Sequence, residues 1–213
     1  MKKILSFKYI LFDFIKLITI PPGIIWFRPK ILYTSKNAKI KPTGGAMVIS
    51  NHITFFDPVF LMVPIWYRRF HFIAMQYFFN TKFKNFLFTK IFMCIPIDRD
   101  NFSMASFRTI VSHLKNDEFV TMFPEGHINR EDNSVSPFKS GMILMAMQSG
   151  KPIIPIYIKK RKTIFSRLIL AVGDPFYINN DNPIKILNRN EIDRYTTELY
   201  NVEENLRKMC ENY

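Results

Sequence analysis

Glycine is scarce in this chain, seven residues in 213, so extended flexible linkers are not expected and a single folded domain is. Cysteine is nearly absent: Cys94 and Cys210 carry no metal-binding or redox spacing and suit a reducing compartment. Acidic residues are outnumbered 17 to 30 by Lys and Arg. A net charge of +13 calls for an anionic partner, whether nucleic acid, membrane surface or acidic substrate. No recognition-helix, zinc-finger or RNP-like pattern accompanies that charge, so no nucleic-acid partner is expected. Long uncharged apolar runs are missing from the N-terminal region: within residues 4–27 the longest is Leu17 to Phe27. That falls short of the roughly 20 residues a membrane-spanning helix needs. No small-residue cleavage site follows it, which argues against a signal peptide. Internal repeats and low-complexity tracts are also absent.

What is present is apolar bulk, 48% of the chain with 22 Phe, enough for a substantial core. The positive charge is concentrated. Residues 1–41 hold nine Lys/Arg and one acid, Asp13, and residues 151–167 hold six more bases and no acid. Residues 1–30 interleave Lys with Ile, Leu and Phe, then break at Pro21-Pro22-Gly23 near Trp26. That pattern predicts a helical segment lying in an anionic bilayer interface; the alternative is a buried N-terminal helix packed on the domain. Residues 31–213 form the domain itself.

Along that domain, strands are expected at Met47–Ile49, 72–75, 93–97, 119–123, 153–158 and 164–172. Helices are expected from Val59 to Tyr67 with a break near Pro64, from Tyr77 to Phe92, over 104–114, over 139–148 and from Asn190 onward. The alternation of strands and helices makes the fold class α/β. His113, near the end of one helix, reads as a surface residue rather than a ligand. No metal site is expected.

The most informative stretch is Met47 to Pro58. A buried strand ends at Ser50-Asn51, His52 enters the loop, and Asp57-Pro58 starts a helix, with Asp57 as N-cap and proline at the first helical position. His52 and Asp57 therefore stand at two ends of one tight strand-to-helix turn, where imidazole and carboxylate can meet. Alone, this spacing equally describes a structural histidine beside a helix cap. Two later strand ends carry Arg99 and Glu125.

Taken in order, these residues resemble the glycerolipid acyltransferase family of the lysophosphatidic acid acyltransferase type. Asn51-His52 with Asp57 matches its Asn-His-x4-Asp block, Ile97-Asp98-Arg99 its second block, and Phe123-Pro124-Glu125-Gly126 its Phe-Pro-Glu-Gly block. Phe138-Lys139-Ser140-Gly141 and Pro152-Ile153-Ile154-Pro155-Ile156 follow. The resemblance covers about residues 44–175. It implies a central mixed sheet flanked by helices and a membrane-associated enzyme, monotopic or peripheral, with its active site on the cytoplasmic side. Its reaction would move a fatty acyl group from acyl-CoA or acyl carrier protein to a lysophospholipid hydroxyl. Lysophosphatidic acid is the first acceptor, giving phosphatidic acid. Glycerol 3-phosphate, another lysolipid, and a catalytically silent membrane-binding protein on the same fold are the alternatives. The thioester is a co-substrate, and no tightly bound cofactor is implied.

Within that reading, His52 is the general base and Asp57 orients it. Arg99 offers a fork of donors for the acceptor phosphate, against the alternative of an ion pair with Asp98 or Asp100. Glu125 orients the acceptor or holds Arg99, Gly126 permits close backbone approach, and Arg130 supplies a second phosphate contact. The sequence departs from the family after Phe-Pro-Glu-Gly, where His127-Ile128-Asn129-Arg130 replaces the usual Thr-Arg-Ser. Met93 stands where a glycine is common, and Met75-Gln76-Tyr77 replaces a Lys-x-Glu-like element. These changes bear on the acceptor more than on the reaction.

Overall fold

The structure, a computed structural model, describes residues 7–39, 42–98, 103–129, 134–163, 165–178 and 188–213. Seven strands form one sheet: β1 (Lys30–Tyr33), β2 (Ala46–Ser50), β3 (Phe70–Met75), β4 (Ile95–Ile97), β5 (Phe119–Met122), β6 (Ile153–Ile158) and β7 (Ile169–Val172). Their order is β1-β7-β6-β2-β5-β3-β4, with β6 and β7 antiparallel and the remaining neighbours parallel. The sheet is therefore mixed, as expected. β2 and β6 are buried along their whole length, which is why both read as continuous apolar runs. Alternate side chains of β2 serve opposite faces. Val48 joins a core with Phe60, Leu61, Phe70 and Ile154, whereas Met47 and Ile49 join one with Ile110, Leu114, Met142 and Leu199.

The helices α1 (Phe7–Phe27) and α2 (Asp57–Leu61) contribute to the first core. α4 (Met104–Lys115), α5 (Gly141–Ser149) and α6 (Arg189–Glu211) contribute to the second. The short α3 (Lys82–Phe86) lies between β3 and β4. α6 opens with a capping box in which the Asn188 side chain accepts from Glu191 N–H and the Glu191 carboxylate accepts from Asn188 N–H.

Several expected boundaries move for local reasons. The segment before β4 is not extended back to 93, because Met93 takes a left-handed conformation at φ 54° and breaks the strand. That also explains why a glycine is usual there. Past Leu61 the chain turns instead of continuing a helix to Tyr67, since Pro64 has no N–H to donate. β7 begins only at Ile169. β1, four half-buried residues paired in parallel with β7, was not expected at all.

The N-terminal helix differs most from expectation. Pro21 and Pro22 do not end it: α1 runs through both for 21 residues, about 31 Å at 1.5 Å per residue. By length and composition it is long and apolar enough to cross a membrane. Asp13 and Lys16, however, are tied to the domain. Asp13 accepts from the Arg69 guanidinium, at 2.9 Å from Nε, and Lys16 Nζ donates to the carbonyls of Trp66 and Arg68 at 2.6 and 2.7 Å. Burial pushes the Lys16 ammonium down to about 8. Tyr9 and Phe12 are buried, while Ile10, Phe14, Leu17, Ile18, Ile25 and Trp26 face outward. The helix thus presents one docked face and one exposed apolar face.

Candidate active site

The register of β2 against β5 builds the site. Residues 46–49 pair with residues 119–122, so the two strands deliver their next residues, from Asn51 and Phe123 onward, to the same end of the sheet. Asn51 fixes the exit of β2. Its side chain donates to Ile158 O at 3.0 Å and accepts from Ile158 N–H at 2.8 Å, taking the place of a strand residue beside the end of β6. It is buried, as is Asp57.

Asp57 is the first residue of α2, and Phe56 occupies the N-cap, with Pro58 second. The expected cap is therefore corrected: the carboxylate turns back onto the loop before the helix. Its Oδ2 accepts from His52 Nδ1 at 2.8 Å, Ile53 N–H at 2.7 Å and Thr54 N–H at 2.8 Å, and its Oδ1 accepts from Thr54 Oγ1 at 2.7 Å. A carboxylate only accepts, so Nδ1 carries the proton and Nε2 is the basic nitrogen. Beneath it, the His52 ring stacks on Phe123, with centroids 4.0 Å apart and planes 13° apart. The imidazole is held on one edge and one face. His52 retains 18% of its side-chain exposure, so the ring is open to a reactant.

Glu125 is buried and spends its oxygens on backbone. Oε1 accepts from His52 N–H and Oε2 from Ser136 N–H, each at 3.0 Å. Glu125, expected to orient the acceptor or hold Arg99, links the His52 turn to Ser136 through these two contacts. Asn129 N–H adds a second tie, donating to His52 O at 2.7 Å. His127 is anchored too: its Nδ1 lies 3.1 Å from Glu125 O and its Nε2 3.3 Å from Ser136 Oγ.

Gly126 adopts φ 74°, a backbone conformation that favours glycine, and a Cβ there would approach Lys139 Cε to 3.2 Å, so that side chain would have to give way slightly. Sequence reasoning quoted Lys139 in a motif but gave it no role. The structure brings it against the Phe-Pro-Glu-Gly turn. Arg99 and Arg130 lie outside the described residues.

Behind the turn, the Glu203 carboxyl of α6 is fully buried within electrostatic reach of Asn51 N–H and Glu125. Among the described residues neither of its oxygens has a hydrogen-bond partner of good geometry. Burial, then the Glu125 charge, push this carboxyl well above the ordinary range. Cys94 and Cys210 are buried, with thiols pushed up to about 12 by burial, so neither is a thiolate near neutral pH.

The arrangement leaves the Nε2 lone pair of His52 open and sets the Asp57 carboxylate where it would stabilise a protonated ring. The sequence pattern of the Acyltransferase family matches residues 32–159, more than half the chain. The chain belongs to the acyltransferase family. This acyltransferase is 26% identical over 151 residues to the 1-acyl-sn-glycerol-3-phosphate acyltransferase of Bacillus subtilis, covering 68% of this chain and 73% of that protein. In fold it is similar to the crystal structure of the 1-acyl-sn-glycerophosphate acyltransferase of Thermotoga maritima, with TM-score 0.65 and 19% identity, over 95% of this chain and 80% of that one. The His52–Asp57 turn and the Phe123–Gly126 turn both fall inside the matched residues.

Proposed function

We propose that this acyltransferase moves a fatty acyl group from a thioester to the free hydroxyl of lysophosphatidic acid, giving phosphatidic acid at the surface of an anionic bilayer. The observation that carries the reaction is the 2.8 Å contact from His52 Nδ1 to the buried Asp57 carboxylate, which leaves Nε2 as base. Nε2 takes the acceptor's hydroxyl proton as that oxygen attacks the thioester carbonyl. The carbon–sulfur bond then breaks, and the departing thiolate takes the proton back from the imidazolium. General-base assistance contributes roughly 10²–10⁴-fold. Holding both substrates together at the site supplies the larger share. With both cysteines buried as thiols, direct transfer is simpler than an acyl-cysteine route. The donor is acyl-CoA or acyl carrier protein.

For the acceptor, the Bacillus subtilis relative's name supports lysophosphatidic acid. Arg99 and Arg130 are the proposed phosphate ligands, with Lys139 the described cation beside Gly126. Glycerol 3-phosphate is the alternative within the class.

Membrane association rests on how the two basic regions meet. Arg28 Nη2 donates to Phe165 O at 2.9 Å, and Trp26 lies 5.8 Å from the Phe165 ring, so the end of α1 and the loop before β7 form one patch. The Arg161 guanidinium sits 4.5 Å over the Phe27 ring in the same region. Basic groups beside exposed apolar side chains suit the headgroup boundary of a leaflet rich in anionic lipid, as on the cytoplasmic side.

The test is an acceptor panel with radiolabelled donor and product identification. Transfer to lysophosphatidic acid in preference to monoacylglycerol and glycerol 3-phosphate is expected. Thioester consumption with none of the acceptors would end the proposal.

A further inference from the structure

Away from His52, two more histidines and a carboxylate converge at the opposite end of the sheet. His71 is the second residue of β3, His113 lies in the last turn of α4, and Glu118 immediately precedes β5. Their ligand atoms all lie within 4.8 Å of one another. Glu118 Oε2 is 3.2 Å from His71 Nε2 and 2.5 Å from His113 Nδ1, and the two imidazoles overlap with centroids 4.1 Å apart. His113 is therefore not the free surface residue its sequence context implied. From Glu118 to Phe123, which stacks on His52, the length of β5 separates this cluster from the His52 site by about 16 Å of extended chain. The acyl-transfer mechanism has no use for it.

We infer that His71, His113 and Glu118 form a binding site for one divalent transition-metal ion, zinc by donor chemistry. Two imidazole nitrogens and one carboxylate oxygen are ligands that suit zinc rather than magnesium or calcium. Tetrahedral zinc with ligand distances near 2.0–2.2 Å holds its donors about 3.3 Å apart. The Glu118–His71 pair, at 3.2 Å, already meets that spacing, and the Glu118–His113 pair, at 2.5 Å, would open to reach it. His71 is buried in β3, His113 lies in α4, and Glu118 sits one residue before β5, so the three donors are fixed at or beside ordered elements.

The surroundings suit a bound cation. Tyr9 of α1 donates its hydroxyl to Glu118 Oε1 at 3.1 Å, orienting the carboxylate from outside the donor set. Arg69 lies 4.7 Å over the Tyr9 ring and is paired with Asp13. An ion here would pin β3, α4 and the entry to β5 together. Through Tyr9 it would also reach the base of α1. The competing account is a proton-held His–Glu–His cluster, which satisfies the same atoms with hydrogen bonds alone. This inference is independent of the acceptor and donor proposed above.

Untagged full-length protein, stripped with chelator, is titrated with zinc against a chromophoric competitor. One equivalent is expected, with a rise in Tm of roughly 5–10 °C that excess EDTA reverses. Cobalt in place of zinc is expected to give the visible absorption of a tetrahedral site. Zinc binding is expected to survive His127→Ala and to be lost in both His113→Ala and Glu118→Gln, with folding checked by circular dichroism. The two variants remove different donors, so a fold defect in one leaves the other decisive. Less than about a tenth of an equivalent in wild type, or binding that survives both His113→Ala and Glu118→Gln, overturns the site in favour of the hydrogen-bonded cluster.

Discussion

Glu125 accepts the backbone N–H of His52 at 3.0 Å, so the acid of the Phe-Pro-Glu-Gly turn braces the residue proposed as the base. The two are 73 positions apart and meet because β2 and β5 run parallel in register. Glu125→Ala would leave the N–H groups of His52 and Ser136 unpaired. A stability loss of about 3 kcal/mol is expected, at 1–3 kcal/mol per orphaned donor. Turnover should fall with it as the imidazole loses its register. Urea denaturation and kcat measured on the same preparation check this. A rise in acceptor KM alone, with stability intact, would instead mark Glu125 as a substrate ligand.

His52→Ala should reduce transfer by at least roughly 10²–10⁴-fold while the fold persists. Asp57→Asn should lower kcat severely with a smaller change in acceptor KM, because a neutral amide, even with its oxygen in the place of Oδ2, lacks the charge that stabilises an imidazolium. Single-turnover assays with circular dichroism controls measure both. Near-normal turnover in folded His52→Ala would remove the base from the mechanism.

Glu203 makes stability depend on pH in a predictable direction. The unfolded chain ionises this carboxyl near 4.5, whereas burial and the Glu125 charge hold it neutral in the folded protein well above that. Between those two values the folded state binds the extra proton, so this group's contribution to stability declines as pH rises, by at most about 1.4 kcal/mol per pH unit. Glu203→Gln cannot ionise. Its stability relative to wild type should therefore improve from pH 5 to pH 7 in urea denaturation, and a pH-independent difference would contradict the assignment.

Vesicle binding should weaken but not vanish as salt rises. Each base near an anionic surface contributes about 1 kcal/mol, screened by ions, while the outward Phe14, Leu17, Ile25 and Trp26 add a salt-insensitive part. Flotation at several salt concentrations, with neutral and anionic vesicles, tests this. Equal binding to both at low salt would count against the electrostatic part, and unchanged binding without residues 1–30 against the location.

Arg99→Ala should raise the KM for lysophosphatidic acid by roughly 10–100-fold and leave the donor KM nearly alone, as removal of a charged partner costs a few kcal/mol. Arg99→Lys should rescue only in part, because an ammonium lacks the guanidinium fork. Arg130→Ala should act in the same direction more weakly. Equal kcat/KM for lysophosphatidic acid and its dephosphorylated monoacylglycerol in wild type would remove the phosphate from recognition.

The sequence by itself determined what depends on neighbours a few residues apart. Five positions separate His52 from Asp57, and a strand-to-helix turn of that length brings the two side chains within hydrogen-bonding reach. The apolar run of β2 was legible for the same reason, since burial periodicity is local, whereas the cap of α6 lies at Asn188, two residues ahead of the expected start. Asp57 as an N-cap was misread because its carboxylate chose between donors ahead of it and behind it, and that choice depends on how the loop folds. Only the tertiary structure decided which distant groups meet. β1 has no strand signature of its own and exists because β7 offers it an edge. Tyr9 and His71 reach the neighbouring pair His113 and Glu118 because α1 and β3 pack against the start of β5, and no spacing along the chain encodes that meeting. The buried Glu203 behind the catalytic turn is likewise a product of where α6 packs, because burial belongs to the whole fold and leaves no mark on the residues beside it.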